Sequence, residues 1–165
     1  MSSLNNSSNV SAAKPNISGA IYRAPLTATL PTTAEAVLTG FTCLGYISED
    51  GITNSNSRES DEFKAWGGDT VLTSQTSYTD TFAFKLFEYL NSDVKKTVYG
   101  DDNVSGDLST GMTVQANSKE LVSYAWVIDM VMIDNTMNRI VIPSGEISEV
   151  GDIVYSDSEL TSYDV

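Results

Sequence analysis

The chain has 165 residues, 41% hydrophobic and 19% charged, with nine basic and 22 acidic side chains and a formal net charge of −13. That is one domain's length with enough apolar content for a core, and a surface this negative repels phosphate, which argues against sequence-reading of nucleic acid but not against a channel through which DNA slides. There is no histidine and one cysteine, Cys43, which removes the Ser/His/Asp and Cys/His arrangements, the commonest metal ligand and any intrachain disulfide.

Residues 1–15 read as a flexible arm, polar and unable to bury enough surface to order alone. Met1–Ser11 has neither the charged nor the apolar region of a signal peptide. No run approaches the ~20 apolar residues that cross a bilayer. The expectation is a protein kept in a cytoplasm, or carried out inside something larger.

A single domain is expected over 16–165. Gly19–Arg23 reads as a first strand and Pro25–Thr39, with two prolines, as a loop. Phe41–Ile47 reads as a strand, with Cys43 a buried, inert thiol. Asp50-Gly51 signals a tight turn into a return strand from Ile52, whose polar second half, Asn54–Asp61, is expected to be exposed or to loop out. Val71–Leu86 alternates, with Leu72, Tyr78, Phe82, Phe84 and Leu86 on one parity, which is strand patterning. A rival helical spacing sets in near Leu86, so a helix is predicted over Ser92–Tyr99. Asn91 or Ser92 would cap it, Asp93 would sit at its positive end and Gly100 would follow it.

Asp101–Gly111 reads as an acidic loop and Thr113–Asn117 as a short strand. Leu121–Ile133 is the clearest strand, with Val122, Tyr124, Trp126, Ile128, Met130 and Met132 on one wholly apolar parity. Arg139–Pro143 and Glu146–Val150 are expected to pair across Ser144-Gly145, and Ile153–Tyr155 with Glu159–Val165. The chain stops at Val165 while still strand-like, so the expectation is either a missing final strand or a shortened version of a longer protein. Eight or nine strands and one short helix, with turn signals every 8–12 residues or so, make a mainly-β sandwich or small barrel.

Motifs for chemistry are sparse. No phosphate-binding glycine loop is present. Acid pairs for glycosidase chemistry abound, but nothing singles one out. Asp101–Ser109 places Asp, Asn and Ser at alternate positions with Gly106 sixth, as a calcium loop does. Its twelfth position is Met112, where such a loop needs a bidentate Glu; an exposed polar loop is the plain alternative. Trp66-Gly67-Gly68-Asp69 is either an epitope or a core anchor followed by a turn. Asp129 lies mid-strand opposite an apolar parity. An unpaired buried carboxylate is costly, so its face is expected to be wet, lining a channel or a polar interface, or else simply facing solvent.

Several segments, in order, resemble siphophage major tail (tail tube) proteins of phages infecting Gram-positive bacteria. They are Ile17–Tyr22, Leu44–Ile52, Asn56–Ser60, Lys64–Asp69, Val98–Val104, Trp126–Asp129, Arg139–Pro143 and Val150–Tyr155, and the resemblance covers about residues 16–165. It implies a β-sandwich or barrel-like tail tube fold with one flanking helix, and a structural, non-enzymatic virion protein without cofactors. It implies hexameric rings stacked into a hollow tube, strands of neighbouring copies pairing edge to edge, and assembly in the host cytoplasm. The implied partners are further copies, the tape-measure protein, and tail terminator and tail tip proteins, with DNA passing through unbound. Arg58, Glu59, Asp61, Glu62, Trp66, Gly67, Gly68 and Asp69 are then the candidate inter-subunit loop, and Asp129 the candidate lumen or polar-interface residue. The competing reading is a monomeric β-sandwich binding module for a carbohydrate or host-surface receptor. Such a module would cluster exposed aromatics, whereas Phe82, Phe84, Tyr124 and Trp126 fall at core parity.

Overall fold

The computed structural model describes residues 5–165; residues 1–4 of the expected arm lie outside it. The strands are β1 (Ala13–Pro15), β2 (Ile21–Ala24), β3 (Thr42–Cys43), β4 (Ile47–Lys64), β5 (Thr70–Leu86), β6 (Val104–Asp107), β7 (Gly111–Val114), β8 (Tyr124–Met132), β9 (Met137–Gly145) and β10 (Tyr163–Asp164). One α-helix, α1 (Ser92–Tyr99), lies between β5 and β6. The mainly-β class with one short helix is as expected.

Strand β8 organises the larger sheet. It pairs with β9 along one edge; along the other it pairs with β2 (Ile21 opposite Ile128) and then β1 (Ala13 opposite Met132), with β3 outside β2. The second sheet has the order β10-β5-β4, and β6-β7 is a separate hairpin; every pairing is antiparallel. The core forms where the two sheets and α1 meet. Phe84 and Leu86 of β5 pack with Ile21, Leu44, Trp126, Val94, Val98 and Tyr163, and Phe84 meets Trp126 edge to face at 6.4 Å. Burying such side chains stabilises by about 1.5–3 kcal/mol each.

The helix follows its local code. Asn91 accepts from the Asp93 N–H at 3.0 Å, the Gly100 N–H reaches the Lys96 carbonyl at 2.8 Å, and Val94 and Val98, one turn apart, face the core. Lys95 is buried with its ammonium 3.9 Å from the Tyr89 ring centre, and burial lowers its pKa.

Several sequence expectations fail for identifiable reasons. Asp50-Gly51 is not a hairpin turn: β4 runs straight through it as a bulge, with Ile47 opposite Leu86 and Ile52 already opposite Phe84. Gly51 has φ +76°; the positive φ that suits a hairpin turn serves a bulge equally. The turn is at Ala65–Asp69, closed by the Ala65 N–H to the Asp69 carbonyl at 2.7 Å, and Asn54–Asp61 is strand because β5 pairs with it throughout. The strand expected over Phe41–Ile47 is interrupted after Cys43. Leu44 hydrogen-bonds to Ile21, and at Gly45 the Glu88 carboxylate occupies the space a side chain would need.

Asp101–Gly111 is a short 3-10 turn followed by the β6–β7 hairpin. Glu146–Val150 and Ile153–Tyr155 are not strands, although Ile147, Val150 and Ile153 pack on the core. The expected N-terminal arm ends in β1, which uses the stretch of β8 edge that β2 leaves open.

Candidate assembly interface

Beyond Phe84 the β4–β5 hairpin leaves the body. Thr53–Lys64 and Thr70–Thr81 are exposed throughout, an arm roughly 40 Å long at 3.3 Å per residue. A two-stranded ribbon this long is at best marginal by itself. Among the described residues no strand lies against the outer edge of β4, or against the outer edge of β5 from Thr70 to Ala83. Near its base β5 is covered by β10 and Val165, whose N–H and carbonyl bond Phe84 at 2.9 and 2.8 Å.

Because opposite residues of a ladder share a face, the register defines the arm's two sides. One carries Asn54, Asn56 and Arg58 against Phe82, Asp80 and Tyr78. Asn54 Nδ2 donates to Asp80 at 2.5 Å, Asn56 Nδ2 to the Tyr78 hydroxyl at 2.9 Å, and Tyr78 to Asp80 at 3.2 Å. The Arg58 guanidinium lies 4.9 Å from the centre of the Tyr78 ring. The other side carries Ser55 opposite Thr81, Ser57 opposite Thr79, Glu59 opposite Ser77 and Asp61 opposite Ser74. Near the tip it ends in the exposed pair Phe63 and Leu72.

All eight candidate inter-subunit residues, Arg58 to Asp69, lie on this arm. The expectation of a loop is replaced by paired strand up to Lys64, with Trp66, Gly67, Gly68 and Asp69 forming its tip. Trp66 is 107% exposed, so the core-anchor alternative fails.

Asp129 is corrected. It is 2% exposed, and its face of β8 is not wet. Its carboxylate accepts from Arg139 Nε at 2.6 Å and Nη2 at 2.8 Å. Arg139 Nη1 goes on to the carbonyls of Thr33 at 3.1 Å and Ala36 at 2.7 Å, tying the Pro25–Gly40 loop over the pair. The Asp129 hydrogen bond, above all, raises the Arg139 pKa against the opposing effect of burial. Parity alone could not reveal this. The available signal was the Asp134-Asn135 turn, which sets Asp129 opposite Arg139 and makes them a cross-strand charge pair.

The acids of the calcium-like segment are spread over separate tasks. Asp101 accepts from Arg23 and from Tyr124 at 2.8 Å each, Asp102 pairs with Lys119, and Asp107 closes the β6–β7 turn. Hydrogen bonds from Ser109 and Thr110 hold the Asp107 carboxyl down to about 2. Among the described residues no group of three or more acidic or cysteine side chains is placed to hold a metal. A surface cavity of about 1010 Å³ contains Glu88 and Asp107. Glu88 is committed to the Tyr46 N–H and to Asn91. No helix among the described residues is long and apolar enough to cross a membrane.

Comparison with known families gives a match over residues 2–165 to "Phage tail tube protein". The chain belongs to the phage tail tube protein family. No curated protein and no solved structure matches it. As a tail tube protein it is a structural component of the virion tail, and the family implies assembly with further tail components.

Proposed function

We propose that copies of this chain close head to tail into hexameric rings, and that the rings stack into the hollow tube through which the genome passes. The unpaired edges of the arm carry this reading. An exposed edge is a template for another strand, and rotation about a ring axis brings the β4 edge of one copy against the β5 edge of the next. That contact is heterologous and closes when the rotation does. Each copy has one free edge of each kind, so every edge is satisfied.

Six arms give twelve strands. At the usual spacing and tilt, twelve strands close to about 24 Å between opposite backbones. With side chains projecting inward that is too narrow for a DNA duplex, so further strands from each copy join the wall. The outer edge of β9, free among the described residues, can accept them. The tip, with Trp66 and the Phe63–Leu72 pair, extends beyond its own ring and contacts the next. The tape-measure protein fills the tube during assembly, and terminator and tip proteins close its ends.

The test is negative-stain electron microscopy of the purified chain over a range of protein and salt concentrations, with and without tape-measure protein. Rings or hollow tubes are expected. Monomers under every condition would leave the other reading, a binding module presenting Trp66.

A further inference from the structure

We infer that β10 is a register stop: with Val165 it fills the base of the β5 edge, so a copy pairing there sits about two residues nearer the arm tip than the copy it joins. The occupant of the edge is β4 of a second copy. The inference rests on the tube reading above and adds the offset between neighbours, which fixes how such a ring is staggered.

The groups that the edge offers follow from the hydrogen bonds already made. The Phe84 N–H donates to the Val165 carbonyl at 2.8 Å, and the Phe84 carbonyl accepts from the Val165 N–H at 2.9 Å. Phe84 therefore turns its backbone groups outward, away from β4. Outward groups recur at every second residue, which leaves Phe82, Asp80 and Tyr78 open toward the tip. Opposite residues of an antiparallel pair both point inward or both point outward. Ile52, Asn54 and Asn56 lie opposite Phe84, Phe82 and Asp80, so they present the open groups of β4. Both β10 and β4 run antiparallel to β5, and an incoming β4 takes up the edge where Val165 leaves it. In the unshifted register Ile52 of the next copy would face Phe84, a place already taken. From Ile52 onward β4 is held to its own β5 and cannot peel away, so shifts toward the base are blocked as well. The nearest open register sets Ile52 opposite Phe82 of the neighbour, about 7 Å tipward at 3.3 Å per residue.

Side chains match at that offset. Ile52 meets Phe82, both half-buried in the free chain. Asn54 comes opposite Asp80 and Asn56 opposite Tyr78, the same donor–acceptor combinations that the hairpin makes diagonally within one chain. On the other face Thr53 meets Thr81, Ser55 meets Thr79 and Ser57 meets Ser77, hydroxyl pairs that favour cross-strand contact. At the next larger offset Ile52 would face the Asp80 carboxylate, which an apolar neighbour desolvates without pairing. The β10 strand thus excludes the smaller offsets and Asp80 the next larger one. Two residues per two-stranded arm is about one residue of shear per strand, the ratio that tilts barrel strands by about 36°.

Disulfide mapping of assembled tubes tests it. Single-cysteine chains, all with Cys43→Ala, are mixed in pairs, assembled and oxidised with copper phenanthroline. Residues 55, 79 and 81 fall at non-hydrogen-bonded positions of the shared ladder, where opposite Cα atoms are about 4.5 Å apart and a disulfide can close. Ser55→Cys with Thr79→Cys should give at least fivefold more covalent dimer on non-reducing gels than Ser55→Cys with Thr81→Cys, the unshifted pair. Equal yields, or the reverse order, overturn the inference while leaving the tube intact. Deleting Val165 frees Phe84 and should raise the Ser55→Cys/Thr81→Cys dimer at least fivefold. An unchanged yield from tubes of that shortened chain shows that β10 is not the stop and overturns the inference as well. The first readout uses the whole chain, so it decides the register even where the shortened chain fails to fold. Wild-type chain that never forms tubes removes the tube reading and this inference together.

Discussion

Strands β8 and β5 both show clean alternation in sequence, and the structure uses them in opposite ways. In β8 five consecutive residues, Ala125–Asp129, are buried on both faces, because the core lies on one side and the Arg139-pinned loop on the other. In β5 the residues from Thr70 to Thr81 bury nothing in the monomer, and only Phe84 and Leu86 reach the core. The body is held by apolar burial and internal ion pairs. The arm is held by its own ladder and a few exposed side-chain bonds. Alternation therefore reports that a strand forms, and not whether its covering partner lies within the same chain.

The contrast should be greatest in hydrogen exchange. In monomers the arm amides are expected to exchange several orders of magnitude faster than those of β8, since local opening costs range from near zero to the global stability. Assembly should slow them to body-like rates; arm amides equally protected in monomer and tube would break the comparison. Next in size is the buried pair. Asp129→Ala leaves Arg139 buried without its carboxylate and should cost the monomer about 3–5 kcal/mol in urea unfolding. Replacing both partners with apolar residues should restore much of it. Leu86→Ala, at the joint between arm and body, should cost about 2–5 kcal/mol. Asn91→Ala, which removes the helix cap, should cost about 1 kcal/mol. Trp66→Ala should change monomer stability by less than about 0.5 kcal/mol yet shorten tubes in electron micrographs, which separates assembly from folding.

The smallest effect concerns pH. Burial pushes the Asp101 carboxyl up, but hydrogen bonds from Arg23 and Tyr124 outweigh it and the net shift is downward. A depressed carboxylate stabilises the fold above its unfolded pKa, and that contribution is lost as pH falls through the lowered folded value. Half-exposed, it contributes about 1 kcal/mol or less. Asp101→Asn should therefore flatten the loss of stability below the ordinary carboxylate range, read from urea midpoints at successive pH values.

What was legible in the sequence was whatever depends on neighbours along the chain. The helix with its Asn91 cap, the strands around Ile21, Trp126 and Ile140, and the alternation of Val71–Leu86 all follow from local pattern. What was not legible depended on distant partners. Asp50-Gly51 states a positive φ but not whether the chain reverses there. Asn54–Asp61 has the composition of a loop and is strand only because residues 74–82 lie beside it. Asp129 points to its partner ten residues on only through the Asp134-Asn135 turn between them, and its parity is silent. The unpaired edges of the arm likewise depend on which strands lie beside them and carry no mark in the local sequence.

The open edge of β4 also bears on time. A lone copy presents it to any passing strand, the kind of surface that seeds fibres. Between Ile47 and Leu86 there are seven acids and three bases, so two arms approaching at random repel before they can pair. In the proposed tube, charge repulsion slows the pairing of two free copies, whereas a tube end that already holds its receiving edges in place can still recruit them one at a time. On the proposed tube reading, tail growth then waits for a starting template, and raised salt, which screens these acids, should shorten the lag.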